Sequence, residues 1–179
     1  MDDQKRILLH TCCSCCATVP VERLLSQGYT IALFFSNSNI FPEQEYEKRL
    51  LSARKFAGLR GIQLMEDVYD HASWLQHIKG LENEPERGKR CIKCFEYNLR
   101  RASITAQEQN IPCFTTTLTV SRHKPSKVIF TVGAHFQGFQ PIDFKKQDGF
   151  TKSIELSRQY DLYRQNYCGC EFSMRSDKR

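Results

Sequence analysis

The stretch Tyr29–Phe35 ends in consecutive apolar residues, Ile31-Ala32-Leu33-Phe34-Phe35. Successive side chains of a strand point to opposite faces, so such a run must be covered on both sides. A parallel sheet enclosed by helices meets that demand. Arg6–His10, with the run Ile7-Leu8-Leu9, reads as a first strand and Ile62–Met65 as a third. Pro112–Thr119, rich in β-branched and aromatic residues, reads as a fourth.

Helical patterns fill the intervals. Val19–Gln27 predicts a helix stopped by Gly28. Pro42 suits the first turn of a helix that reaches about Ala57, with Tyr46, Leu50, Ala53 and Ala57 on one face and Gly58 beyond it. Ala72–Leu81 follows the cap-like Asp70, and a long helix is expected over Cys91–Gln109. Ser126–Phe136 and Ser153–Tyr163 complete the alternation. The fold class is α/β, with a mostly parallel sheet flanked by helices. A chain of 179 residues fits one domain and buries a core without covalent staples. Residues 1–179 are therefore expected to form a single catalytic domain, whose segment 140–179 returns a Cys-Gly-Cys arm to the active site.

In open parallel sheets, ligands bind beyond the carboxyl ends of the strands, beside helix N-termini. Cys12–Cys16 falls in the turn after the first strand and before the first helix. The polar loop Ser36–Asn39 and the segment Ser121–Lys124 should reach the same edge. Helix N–H groups there favour negative charge, lowering thiolate pKa values or steadying an anionic cluster.

The nine cysteines are an odd count, which a pure disulfide framework would leave with one thiol over. No apolar leader or membrane-length run is visible, so the expected location is cytoplasmic, where clustered cysteines read as metal-binding or catalytic. Cys91 and Cys94 begin a helix and project from one face towards a shared metal. A thioredoxin-like couple would follow a strand, whereas a charged loop precedes this pair. Adjacent Cys12 and Cys13 point in divergent directions, which suits different irons of one cluster better than a single zinc ion. Cys168-Gly169-Cys170 is open to two readings, a redox-active pair closing a strained and reducible ring, or a second metal-binding arm. Cys15 and Cys16 stay ambiguous between a second metal and no ligand role, and Cys113 reads as a small buried hydrophobe. His10 and His123 fit structural roles better than ligation. Asp143 can supply a hard oxygen ligand or a proton, although a loop carboxylate paired with a nearby lysine is the favoured reading.

The formal net charge is +6. Basic residues gather at Arg87, Lys89, Arg90 and Lys93 with Arg100-Arg101, then at Arg122, Lys124 and Lys127, then at Lys145, Lys146 and Lys152. Near site segments, such groups suit nucleic acid or another phosphate-bearing partner. Tyr160, Tyr163 and Tyr167, with Arg158 and Arg164 between them, suit base stacking and phosphate contact, or else the apolar side of a terminal helix.

Several motifs together resemble the QueH family, the cobalamin-independent epoxyqueuosine reductases. They are Leu8-Leu9-His10-Thr11-Cys12-Cys13 with Cys16, Asn39 to Pro42 with Glu45-Tyr46 and Arg49, and Gly88 with Arg90-Cys91 and Cys94. Further on come Thr115-Thr116-Thr117-Leu118, Asp143-Phe144-Lys145-Lys146 with Asp148-Gly149, and Leu162-Tyr163-Arg164-Gln165 with Tyr167-Cys168-Gly169-Cys170. Ser14-Cys15 departs from the family's usual Ala-Pro. The resemblance implies a Rossmann-like fold of the ATP-pyrophosphatase (HUP-like) kind. It also implies reductive removal of the epoxide oxygen of epoxyqueuosine at the tRNA wobble position, the last step of queuosine synthesis. The implied cofactor is a 4Fe–4S cluster on Cys12, Cys13, Cys91 and Cys94, without cobalamin. Cys168 and Cys170 would be a redox-active disulfide-forming pair or would help hold an additional iron or other metal ion, with Cys16 and Asp143 as further candidate ligands. Asp143 or Tyr163 is the candidate proton donor. The partners would be tRNA carrying epoxyqueuosine and an external electron donor, with no membrane.

Two other classes compete. ATP-dependent PP-loop tRNA thiolases share the expected fold, but need a glycine-rich loop after the first strand to cradle phosphate. Thr11–Cys16 contains no glycine. A non-catalytic, zinc-stabilised RNA-binding module would account for Cys91, Cys94 and the basic groups, but not for the adjacent thiols or the terminal Cys-Gly-Cys.

Overall fold

In the computed structural model, which describes residues 5–174, the central strand is β1 (Arg6–His10). It pairs in parallel with β2 (Thr30–Phe35) on one side and β4 (Cys113–Thr116) on the other. β3 (Gln63–Glu66) joins the outer side of β2, giving the order β3-β2-β1-β4, all parallel. Ile7, Leu8 and Leu9 are all fully buried, as their uninterrupted apolar run demands. Alternation splits them between two layers. Ile7 and Leu9 pack with Val21, Leu24, Phe56 and Phe144, while Leu8 packs with Phe95, Leu99, Phe114 and Ile129.

Those partners come from helices on both faces. On one side α1 (Ser14–Ser26) lies against α2 (Glu43–Arg60) and α6 (Gly149–Gln159). On the other, α4 (Lys89–Glu108) packs on α5 (Ser126–Gly133), and the short α3 (His71–His77) leans on α4. None of the helices among the described residues is long and apolar enough to cross a membrane.

The first three strands follow the sequence closely, but the fourth and several helix ends do not. α1 begins at Ser14 rather than Val19 and runs through Pro20. Proline disfavours a helix interior in isolation, but burial of Ala17, Val21 and Leu24 on the sheet overrides that preference. Cys15 and Cys16 therefore lie in the first helical turn, not in the preceding loop. α2 passes Gly58 and ends at Arg60, capped by Gly61, whose φ of 61° is the left-handed conformation that glycine provides. α3 stops at His77, because Ile78 turns fully into the core beside Trp74. The fourth strand is shorter than expected, since Thr117–Val120 tightens into a 3-10 turn in which the Thr116 hydroxyl accepts the Leu118 N–H. α5 likewise ends at Gly133, short of Phe136. α6 ends at Gln159, so Tyr163 and Tyr167 lie in the loop beyond it and form no helical stripe.

Candidate metal centre

At the carboxyl edge of the sheet, the register places His10 beside Phe34 and Thr116. The His10 ring is fully buried, with Nδ1 2.9 Å from Thr116 Oγ1 and Nε2 3.0 Å from the Ser36 carbonyl. Burial pushes its pKa down to about 4, so the ring is neutral and both nitrogens are satisfied. It is a structural residue, as expected.

Beyond His10 the chain turns into α1. The Cys12 N–H donates to Thr117 Oγ1 (3.0 Å), and the Thr117 hydroxyl donates to Cys12 Sγ (3.2 Å). Cys13 is the N-cap of α1, and its sulfur lies 4.0 Å from that of Cys12. Cys16, one turn on, brings its sulfur back to the same end. The three sulfurs all lie within 4.8 Å of one another, a spacing that suits a shared metal or cluster. Cys16, read from the sequence as a second-metal candidate, thus joins Cys12 and Cys13.

The electrostatics fit anionic ligands. Hydrogen bonds from the Cys12 and Cys16 thiols hold the Cys13 thiol well below its usual pKa. The donors move the other way. Cys12 is pushed up to about 12 by its bond to Cys13, and Cys16 is also raised. The cap position adds the positive end of the α1 dipole. Cys15 points elsewhere, donating to the Tyr163 carbonyl (3.1 Å), and burial raises it to about 11.

A second thiol group forms from the middle and end of the chain. Cys91 and Cys94 occupy the start of α4, where the Arg87 N–H donates to Cys91 Sγ (3.2 Å). Cys94 packs beside Cys170 against Trp74 and Ile78. Burial raises the pKa of both Cys91 and Cys94, and the neighbouring charges of Cys168 and Cys170 raise them further. Cys168 is exposed and Cys170 buried, and all nine cysteines are free thiols.

Lys124 links the groups. Burial acts to lower the pKa of its ammonium, but Cys168, Cys12, Cys16 and Cys13 together outweigh that and raise it. Its charge is felt by sulfurs of both sets. The sequence placed it at this edge only as one of a basic trio.

Several basic residues have structural duties instead. Arg90 is buried, donates to the carbonyls of Glu82 and Glu84, and stacks its guanidinium 4.9 Å from the Phe172 ring. It therefore shapes the loop that delivers Cys91. Arg101 forks onto Asp67, and Lys93 and Arg100 pair with Glu96. Arg87, Arg122, Lys127, Lys146 and Lys152 remain exposed. Asp143 lies 3.7 Å from Lys145 Nζ, the loop pairing expected of it. The Tyr163 hydroxyl donates to Glu45 (2.8 Å), and burial together with that carboxylate pushes its pKa up to about 12. Cys113 lies at the opposite edge, with Sγ 3.4 Å from the Arg6 carbonyl.

A parallel α/β sheet with clustered thiols at its carboxyl edge defines an α/β protein with a site suited to a soft metal. A solved structure of the U34-tRNA thiolase NcsA from Methanococcus maripaludis, with its [4Fe-4S] cluster, superposes at a TM-score of 0.60. The two are 12% identical, and the match covers 97% of this chain and 63% of that one. The chain belongs to the epoxyqueuosine reductase QueH family, whose model matches residues 7–176. It is 38% identical to the epoxyqueuosine reductase QueH of Streptococcus pyogenes serotype M1, over 93% of this chain and 69% of that protein. To the corresponding protein of Acinetobacter baylyi it is 35% identical, over 99% and 84%.

Proposed function

We propose that this chain reduces epoxyqueuosine in tRNA to queuosine, removing the epoxide oxygen at the wobble position in the last step of queuosine synthesis. The observation that carries this reading is the trio Cys12, Cys13 and Cys16, whose sulfurs lie within 4.8 Å of one another at the carboxyl edge of the sheet, in a chain of the QueH family. Cys12, Cys13, Cys91 and Cys94 would hold a 4Fe–4S cluster, one thiolate to each iron, and Cys16, whose sulfur lies within 4.8 Å of those of Cys12 and Cys13, would be left as a ligand for a further metal ion. Bound there, the cluster would supply electrons singly.

Converting an epoxide to an alkene consumes two electrons and two protons and releases water. The Cys168–Cys170 dithiol holds that complement, because closing it to a disulfide releases two electrons and two protons. An external donor must then restore the dithiol. Lys124 offsets the negative charge gathered by the thiolates. Exposed Arg87, Arg122 and Lys127 offer phosphate contacts to the tRNA backbone. Asp143 retains the role of proton donor or hard ligand only if it leaves Lys145.

The thiolase fold does not bring thiolase chemistry, since fold alone does not fix activity. The turn from Thr11 to Cys16 still lacks the glycines that phosphate binding requires. Anaerobic purification with iron, sulfide and zinc analysis tests the cofactor. A brown protein with about four irons and matching sulfide per chain supports the reductase. A colourless protein with stoichiometric zinc favours the RNA-binding module.

A further inference from the structure

Arg49 sits in the middle of α2 and is only 2% exposed. Burying a guanidinium is costly unless its donors are used, and a buried ion pair is weak evidence for stability on its own. Here every side of the guanidinium is occupied. Nε donates to Glu45 (2.7 Å), Nη1 to the carbonyl of Cys168 (2.9 Å) and Nη2 to the carbonyl of Tyr167 (3.3 Å). The Tyr167 ring covers it at 5.1 Å. Two of its three hydrogen bonds therefore fall on the arm that carries Cys168-Gly169-Cys170, at successive carbonyls.

Neighbouring contacts fix the same stretch. The Phe41 N–H donates to the Gly169 carbonyl (2.8 Å), and the Tyr167 hydroxyl donates to the Phe41 carbonyl. Gly169 has a φ of 150°, and a Cβ there would stand 3.3 Å from Arg49 Nη1 and 3.1 Å from Asn39 Nδ2. The backbone is thus pressed onto the guanidinium, and glycine is what allows the approach. Glu45 closes the far side, holding Arg49 with one oxygen and the Tyr163 hydroxyl with the other. With the carbonyls of residues 167–169 fixed, Cys170 is directed into the pocket of Trp74, Ile78 and Cys94, and Cys168 is left exposed.

We propose that Arg49, held by Glu45, is the positioning residue that presents the Cys168–Cys170 thiols to the site. It touches neither sulfur and acts through the arm's backbone. The planar fork matters, because a lysine ammonium beside Glu45 keeps the charge but does not span two successive carbonyls. The proposal rests on the reading that this arm serves the reduction, so its test separates the two.

Arg49→Lys and Arg49→Gln would be purified anaerobically as the full chain and treated with N-ethylmaleimide, with alkylation followed cysteine by cysteine by mass spectrometry. Cys113, half-buried at the opposite edge, is the internal reference for a general change in reactivity. In both variants Cys170 should react about tenfold faster relative to Cys113, as expected when an opening equilibrium loses a charge-assisted hydrogen bond. An unchanged ratio in both variants overturns the proposal. A rise shared equally by Cys113 also overturns it, since Arg49 would then hold the fold rather than the arm. Turnover on epoxyqueuosine-containing tRNA should fall in kcat with KM for the tRNA unchanged. Faster Cys170 alkylation with undiminished kcat would keep Arg49 as the arm's anchor and remove the arm from the reaction.

Discussion

His10 makes the stability of this chain depend on acid in a way that can be isolated. Its ring is fully buried between Thr116 and the Ser36 carbonyl, and burial lowers its pKa from 6.5 to about 4. Between those values the unfolded chain binds a proton that the folded chain refuses, so folding stability rises with pH. The contribution is present above pH 6.5 and is lost progressively as pH falls towards 4. The full shift corresponds to about 3 kcal/mol, of which about 2 kcal/mol is lost by pH 5. Carboxylates such as Asp67, held low by Arg101 against the opposing effect of burial, add their own acid sensitivity. His10→Gln removes the titration while its amide can still donate to Ser36 and accept from Thr116. Urea unfolding can be followed through Trp74, the single tryptophan, which is fully buried. Between pH 7.5 and pH 5 the native chain should lose about 2 kcal/mol more than His10→Gln. Parallel losses in the two proteins would refute the assignment of a neutral, structural His10.

Three further outcomes follow from the geometry. Lys124→Met removes a positive charge felt by both thiol groups and should lower the midpoint potential of the loaded protein by on the order of 60 mV, read by potentiometric titration; an unchanged potential would place its charge elsewhere. Tyr163→Phe should cost roughly 1 kcal/mol of stability and change turnover by less than about tenfold, because the hydroxyl is committed to Glu45. A fall in kcat of about a hundredfold or more would instead restore Tyr163 as the proton donor. Gly149→Ala drives a Cβ into the Phe144 carbonyl at the start of α6 and should destabilise the chain by about 2 kcal/mol in thermal melts; an unchanged melting temperature would contradict that packing.

The parallel sheet was legible because Ile7-Leu8-Leu9 and Ile31–Phe35 leave no polar face, and a two-sided core is the consequence. The start of α1 was not legible, because Pro20 is a local helix breaker whose cost is overridden only by tertiary burial. The geometry of the thiols depends on that start. With Ser14 as the first helical residue, Cys16 falls one turn beyond Cys13 and joins its sulfur, while Cys15 rotates away to Tyr163. The signal was present in the Cys13-x-x-Cys16 spacing, since residues three apart share a helix face.

Charge is less legible in this sequence than hydrophobicity. Arg90 and Arg101 looked like phosphate contacts, but one is buried against backbone carbonyls and the other is paired with Asp67. Partners so far along the chain leave no local pattern. Arg49 shows the converse: one of three arginines in α2, it alone is buried and reaches the Cys-Gly-Cys arm more than a hundred residues away. Asp143 met the simpler expectation, a loop carboxylate beside its own lysine.

The most direct measurement is turnover by the anaerobically purified, reduced protein on tRNA carrying epoxyqueuosine, with digested nucleosides identified by mass spectrometry. The account predicts that epoxyqueuosine disappears and queuosine, lighter by one oxygen atom, appears in equal amount. Protein with a full complement of iron and sulfide that leaves epoxyqueuosine unchanged in the presence of a competent reductant would contradict it.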